Sequence, residues 1–127
     1  MENLFTLESI LEKEDRTIVL AESGAEALLK VRECNPSVIL LDYQMPGMSG
    51  LEVAEHLRAD EATKLIPIIF ITAISKNEFK KLQIFEEGTV EIIGKPIDIY
   101  EARNRVAIFE RLYHFQQLAL LNGLVNH

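Results

Sequence analysis

Three polar residues of different chemistry stand at the ends of three short apolar runs. Asp42 directly follows Val38-Ile39-Leu40-Leu41, Thr72 closes the run over residues 67–72, and Lys95 comes after Ile92-Ile93-Gly94. A carboxylate, a hydroxyl and an ammonium brought to one place suit an anionic group bound to, or held beside, the carboxylate. Other candidate chemistry is sparse. His56 and His114 lie in helical segments without further ligands at metal spacing, His127 is the last residue, and Cys34 ends a helical segment as a small packing residue. An enzyme or flavin-binding domain would need a phosphate-cradling glycine loop, and Glu22-Ser23-Gly24-Ala25 is too poor in glycine to be one. No nucleophile elbow is present either.

For the three residues to meet, the apolar runs must be parallel strands. Residues 17–21 (TIVLA), 38–41, 67–72 and 90–93 are short, β-branched or continuously apolar, as expected of strands covered on both faces. Between them lie stretches of helical periodicity. Leu4, Leu7, Ile10 and Leu11 mark a first helix within residues 2–14, and Ser23 with Glu26 opens a second that Asn35-Pro36 stops. Ser49 with Glu52 opens a third, Ser75 with Glu78 a fourth that ends at Gly88, and Asp98 with Glu101 a long last helix over residues 98–122. Four strands alternating with helices predict a parallel α/β sheet sandwiched between helices, with functional residues beyond the carboxyl ends of its strands.

Composition narrows the class further. The 127 residues are one domain's worth, 48% hydrophobic, with a formal charge of −7. That charge argues against a nucleic-acid partner, and no apolar run is long enough to span a membrane. A single cysteine allows no internal disulfide, and nothing at the N-terminus reads as an export signal; both fit a cytoplasmic protein.

Residues 40–50 (LLDYQMPGMSG), 71–73 (ITA) and 94–96 (GKP) resemble, in order and spacing, the phosphoacceptor loop, hydroxyl-bearing strand and lysine–proline turn of response-regulator receiver domains. The resemblance runs from Asn3 to about Leu118. It implies a flavodoxin-like three-layer sandwich acting in two-component signal transduction as a signalling module rather than an enzyme. It also implies that Asp42 accepts a phosphoryl group from a histidine kinase or small phosphodonor, that Lys95 and Thr72 bind phosphoryl oxygens, and that Asp42 and the Gln44 carbonyl help hold Mg²⁺. A cis bond is expected at Lys95-Pro96, where the turn aims the ammonium back at Asp42.

Two departures from the family pattern change the expectation. Receivers begin with an apolar strand ending in an acidic pair that holds the divalent ion; Met1-Glu2-Asn3-Leu4 starts beyond it, which leaves a sheet of four strands and weak or lost Mg²⁺ binding. Ile92 also stands where receivers usually carry an aromatic residue that couples phosphorylation to output. The expected protein is therefore a degenerate receiver acting mainly by protein–protein contact, with a phosphorylatable receiver as the alternative. In the last helix, Ala102, Val106, Phe109, Tyr113, Gln116 and Leu120 form one stripe, and Ile108, Leu112, Phe115 and Ala119 a second. One can pack on the sheet while the other stays exposed, which predicts a homodimer through this helix. A histidine kinase or another response regulator would be the further partner.

Overall fold

The computed structural model describes residues 4–43, 47–73 and 90–121. The helix expected from Ser75 to Gly88, Glu2, the Gln44 carbonyl and the end of the last helix beyond Leu121 lie outside those residues.

Three parallel strands carry the fold: β1 (Ile39–Asp42), β2 (Ile68–Thr72) and β3 (Val90–Gly94), in the spatial order β1-β2-β3. Ile39 pairs with Ile68, and Ile68 with Val90, so the three strands start level; β2 and β3 end together at Thr72 and Gly94, and β1 ends one residue earlier, with Asp42 opposite Ile71. Their side chains alternate between two apolar layers. Ile39, Leu41, Ile68 and Phe70 pack against α2 (Gly24–Cys34) and α3 (Gly50–Ala59), through Val31, Val53, Ala54 and Leu57. Ile69 and Ile93 turn the other way, onto α1 (Leu4–Leu11) and α4 (Ile99–Leu121), through Leu11, Ala102, Val106 and Phe109. The result is the expected three-layer α/β sandwich.

The helix starts follow the capping residues closely. Ser23 Oγ accepts from the Glu26 amide at 3.1 Å, Ser49 Oγ from Glu52 at 3.2 Å, and Asp98 Oδ1 from Glu101 at 2.9 Å. Asn35 ends α2 in the left-handed conformation, donating its amide to the Val31 carbonyl, just before Pro36. After α3 the buried Thr63 hydroxyl donates to the Leu57 carbonyl at 2.7 Å, satisfying one of the helix's last acceptors. The end of α1 is held from a distance: Arg103 of α4 donates to the Ile10 carbonyl at 2.8 Å and Arg16 to that of Leu11. Arg16 also forks onto Glu110 of α4 at 2.6 and 2.7 Å, a bidentate pair that clamps α1 and α4 together.

Residues 17–21 differ from expectation: they form no strand, and β1 is an edge strand among the described residues. The backbone here is engaged otherwise. The Leu20 carbonyl accepts from the Lys30 ammonium on α2 at 2.5 Å, and Ile18 packs as a half-buried residue beneath the α1–α4 layer while Val19 is exposed. The two stripes of α4 are also used unequally. Ala102, Val106 and Phe109 are buried, but the first stripe leaves the body after Phe109, and Tyr113 and Leu120 are exposed.

β2 is the most deeply enclosed element, so Phe70→Ala is expected to cost about 3–5 kcal/mol in urea unfolding. Val19→Ala, in the unpaired segment, should stay within about 0.5 kcal/mol. A loss at Val19 rivalling that at Phe70 would mean that residues 17–21 belong to the core.

Candidate functional site

The parallel register puts Asp42, Thr72 and Gly94-Lys95 within one residue of each other along one edge of the sheet. Asp42 is the last residue of β1, and the next residue, Tyr43, donates its amide to the Ile71 carbonyl at 3.0 Å, continuing the ladder past the strand. Thr72 is buried at the end of β2, opposite Gly94. Its carbonyl accepts the Lys95 amide at 3.0 Å, which starts the turn out of β3. The Lys95–Pro96 peptide is cis, as expected from the turn.

Out of this turn the Lys95 side chain returns across the strand ends to Asp42. Its ammonium lies 3.3 Å from Oδ1 and 3.1 Å from Oδ2, so it straddles the carboxylate. The two side chains keep 20% and 28% of their surface, for Lys95 and Asp42 respectively. A small anion can therefore reach them from solvent, while the surrounding protein strengthens their attraction relative to water. A nucleophilic carboxylate with a cation against both oxygens and a hydroxyl on the adjoining strand end has the parts for acyl-phosphate chemistry.

Of the expected site residues, Asp42 and Lys95 are in contact, and Thr72 lies on the strand between theirs. Gln44 lies outside the described residues. Among the described residues no group of three or more His, Cys, Asp or Glu is arranged to hold a metal ion. Of the expected divalent-ion donors only Asp42 is described, and both of its carboxylate oxygens accept from the Lys95 ammonium. His56 and His114 belong to no metal-binding group, and Cys34 is an exposed free thiol. No described helix is long and apolar enough to cross a membrane.

Two neighbours of the site went unassigned in the sequence. Tyr43 sets its ring edge-on to Phe70, with centroids 5.7 Å apart, and so anchors the loop after Asp42 to the core. Gly50, the first residue of α3, donates its amide to the Tyr43 carbonyl at 3.0 Å. The tyrosine's aromatic character was the only sequence signal for the first contact. The second depends on how closely α3 approaches the loop, which no residue pattern reports.

Comparison with known proteins agrees with this geometry. Over 100 residues the chain is 43% identical to the transcriptional regulatory protein ResD of Bacillus subtilis, covering 79% of this chain and 40% of ResD. It thus spans less than half of that relative's length. It is 35% identical over 97 residues to the polar-differentiation response regulator DivK of Brucella ovis, covering 76% and 78% of the two chains. The chemotaxis protein CheY4 of Vibrio cholerae superposes with a TM-score of 0.68 at 25% identity, over 81% of this chain and 84% of that one. Residues 2–107 match the response regulator receiver domain, and the chain belongs to that family.

Proposed function

We propose that this receiver is an atypical one, a protein–protein interaction and dimerisation module of two-component signalling in which phosphorylation of Asp42 is impaired. The observation that carries the proposal is the surface of α4. Beyond Glu110 every residue to Leu120 is exposed except the half-buried Ala119. Ile108, Leu112 and Phe115, the last 66% exposed, run along one face at spacings of four and three. An apolar seam of that period matches a second helix bearing the same seam, and a two-fold axis supplies one from another copy. In this reading residues 1–127 act as a single cytoplasmic domain, residues 98–122 are its dimerising helix, and a histidine kinase or another response regulator meets the strand-end face.

Impairment follows from the charge balance at Asp42. Phosphoryl transfer places further negative charge beside the carboxylate, and receivers offset it with a divalent ion held by several acidic groups. Among the described residues Lys95 stands against Asp42 and Thr72 at the adjoining strand end, with no group of three or more acidic, His or Cys side chains arranged to hold such an ion. A second reading, a phosphorylatable receiver that takes the group from a histidine kinase, is favoured by one specific observation: the ammonium already stands where it would meet the incoming phosphoryl oxygens.

Three outcomes are expected. Incubated with a small phosphodonor and Mg²⁺, the chain should give no stable phosphoryl adduct by intact mass under conditions where an ordinary receiver reacts. An adduct that disappears in Asp42→Asn would select the second reading instead. In analytical ultracentrifugation the chain should sediment as a dimer, and Leu112→Asp with Phe115→Asp as a monomer; a parent already monomeric at micromolar concentration removes the dimer. Because the Asp42–Lys95 pair is partly solvated, Lys95→Met should alter unfolding free energy by about 1 kcal/mol or less.

A further inference from the structure

Helices α2 and α3 begin with the same pattern, Ser23-Gly24-Ala25-Glu26 and Ser49-Gly50-Leu51-Glu52, each serine capping its helix and each glycine its first residue. The two glycines face different surroundings. A Cβ on Gly24 would lie 2.8 Å from Val53 Cγ2 and 2.9 Å from Met48 Cβ, both side-chain atoms. A Cβ on Gly50 would lie 2.3 Å from the Asp42 carbonyl oxygen, 2.8 Å from Tyr43 Cα and 3.0 Å from the Asp42 carbonyl carbon, all backbone. Positive φ among the described glycines is confined to Gly47, so Gly50 meets no conformational demand that only glycine satisfies. What requires glycine here is room.

We infer that Gly50 is a positioning residue for Asp42: its bare Cα lets α3 seat directly on the Asp42-Tyr43 backbone and so sets where the carboxylate stands relative to Lys95. The inference rests on reading Asp42 as the acceptor or its relic. The Asp42-Tyr43 backbone is gripped from two sides. The Tyr43 amide is bonded to Ile71 of β2, and the Tyr43 carbonyl accepts the Gly50 amide, each at 3.0 Å. Neither grip is a flexible side chain, so a methyl group at residue 50 must either lift α3 or push the Asp42 peptide. Both movements shift the carboxylate against an ammonium that now sits 3.1 and 3.3 Å from its two oxygens. A small displacement of a reacting group costs far more in rate than in stability.

The repeated motif provides a comparison, because Gly24→Ala makes the same chemical change at the same helix position but presses on the Val53 and Met48 side chains rather than on the Asp42-Tyr43 backbone. Nuclear magnetic resonance of the labelled full chain reads the site directly, through the Asp42 ¹³Cγ and Lys95 ¹⁵Nζ signals. Both should move clearly further in Gly50→Ala than in Gly24→Ala. If the parent forms a phosphoryl adduct, Gly50→Ala should slow its formation at least tenfold and Gly24→Ala markedly less. Equal shifts in the two variants, or none in Gly50→Ala, overturn the inference. Should Gly50→Ala fail to fold, Lys95→Met perturbs the same contact from the other end: the Gly50 amide signal is expected to move and that of Gly24 to stay. A still Gly50 signal overturns the proposal. An unreactive parent with the predicted resonance shifts separates the two claims, since positioning then holds whether or not Asp42 is phosphorylated.

Discussion

Strand β2 is hydrogen-bonded in parallel to a neighbour on each side, and much of the molecule follows from that pairing. Parallel strands cannot be joined by tight turns, so a connection between them must cross a face of the sheet, and the one from β1 to β2 does so through α3. Both faces are then covered, which is why Ile68 to Ile71 are all apolar and almost wholly enclosed. The same pairing brings every strand's carboxyl end to one edge. Asp42, Thr72 and Lys95 are separated by 30 and 23 positions along the chain and still share that edge. The charged pair is therefore set by the sheet, and the loops around it adjust its position.

How much of this was legible depends on the range of the deciding contact. The three strands could be read because each is a short, largely apolar run, and β2, the middle one, is buried on both faces. The starts of α2, α3 and α4 could be read because Ser23, Ser49 and Asp98 act on amides three residues away. Residues 17–21 are as β-branched as the real strands and yet stay unpaired. Their surroundings instead supply the Lys30 ammonium to the Leu20 carbonyl and, just before them, the Arg16 pair with Glu110, contacts that composition does not encode. The site was legible as three residue types at three strand ends. The packing of α3 against the Asp42 peptide was not, because Gly24 and Gly50 sit in matching motifs and differ only in what lies opposite them.

Between α1 and α4 the joining is polar at one level and apolar at the next. Leu11, Val106 and Phe109 share one buried layer with Ile93. At its rim Arg16 and Arg103 reach from outside α1 to its final carbonyls, and Glu110 takes the Arg16 guanidinium. A further ion pair, Arg105 with Glu91 at 3.1 Å, ties the same helix to β3. The first half of α4 is thus fastened to both the sheet and the neighbouring helix.

Among the described residues the second half of α4 has no such fastening. Eleven residues of isolated helix would be marginal in water, because starting a helix is costly whereas lengthening one is cheap. This stretch avoids the starting cost by continuing from the packed turns at Ala102, Val106 and Phe109. Its helical start is thus supplied by the sandwich. Anything that clasps the Leu112 and Phe115 face also stiffens the helix beneath it, and anything that loosens the core at Phe109 softens that face. In the dimer proposed above, the apolar edge offered to the partner is thus carried on turns whose helical start lies in the packed body.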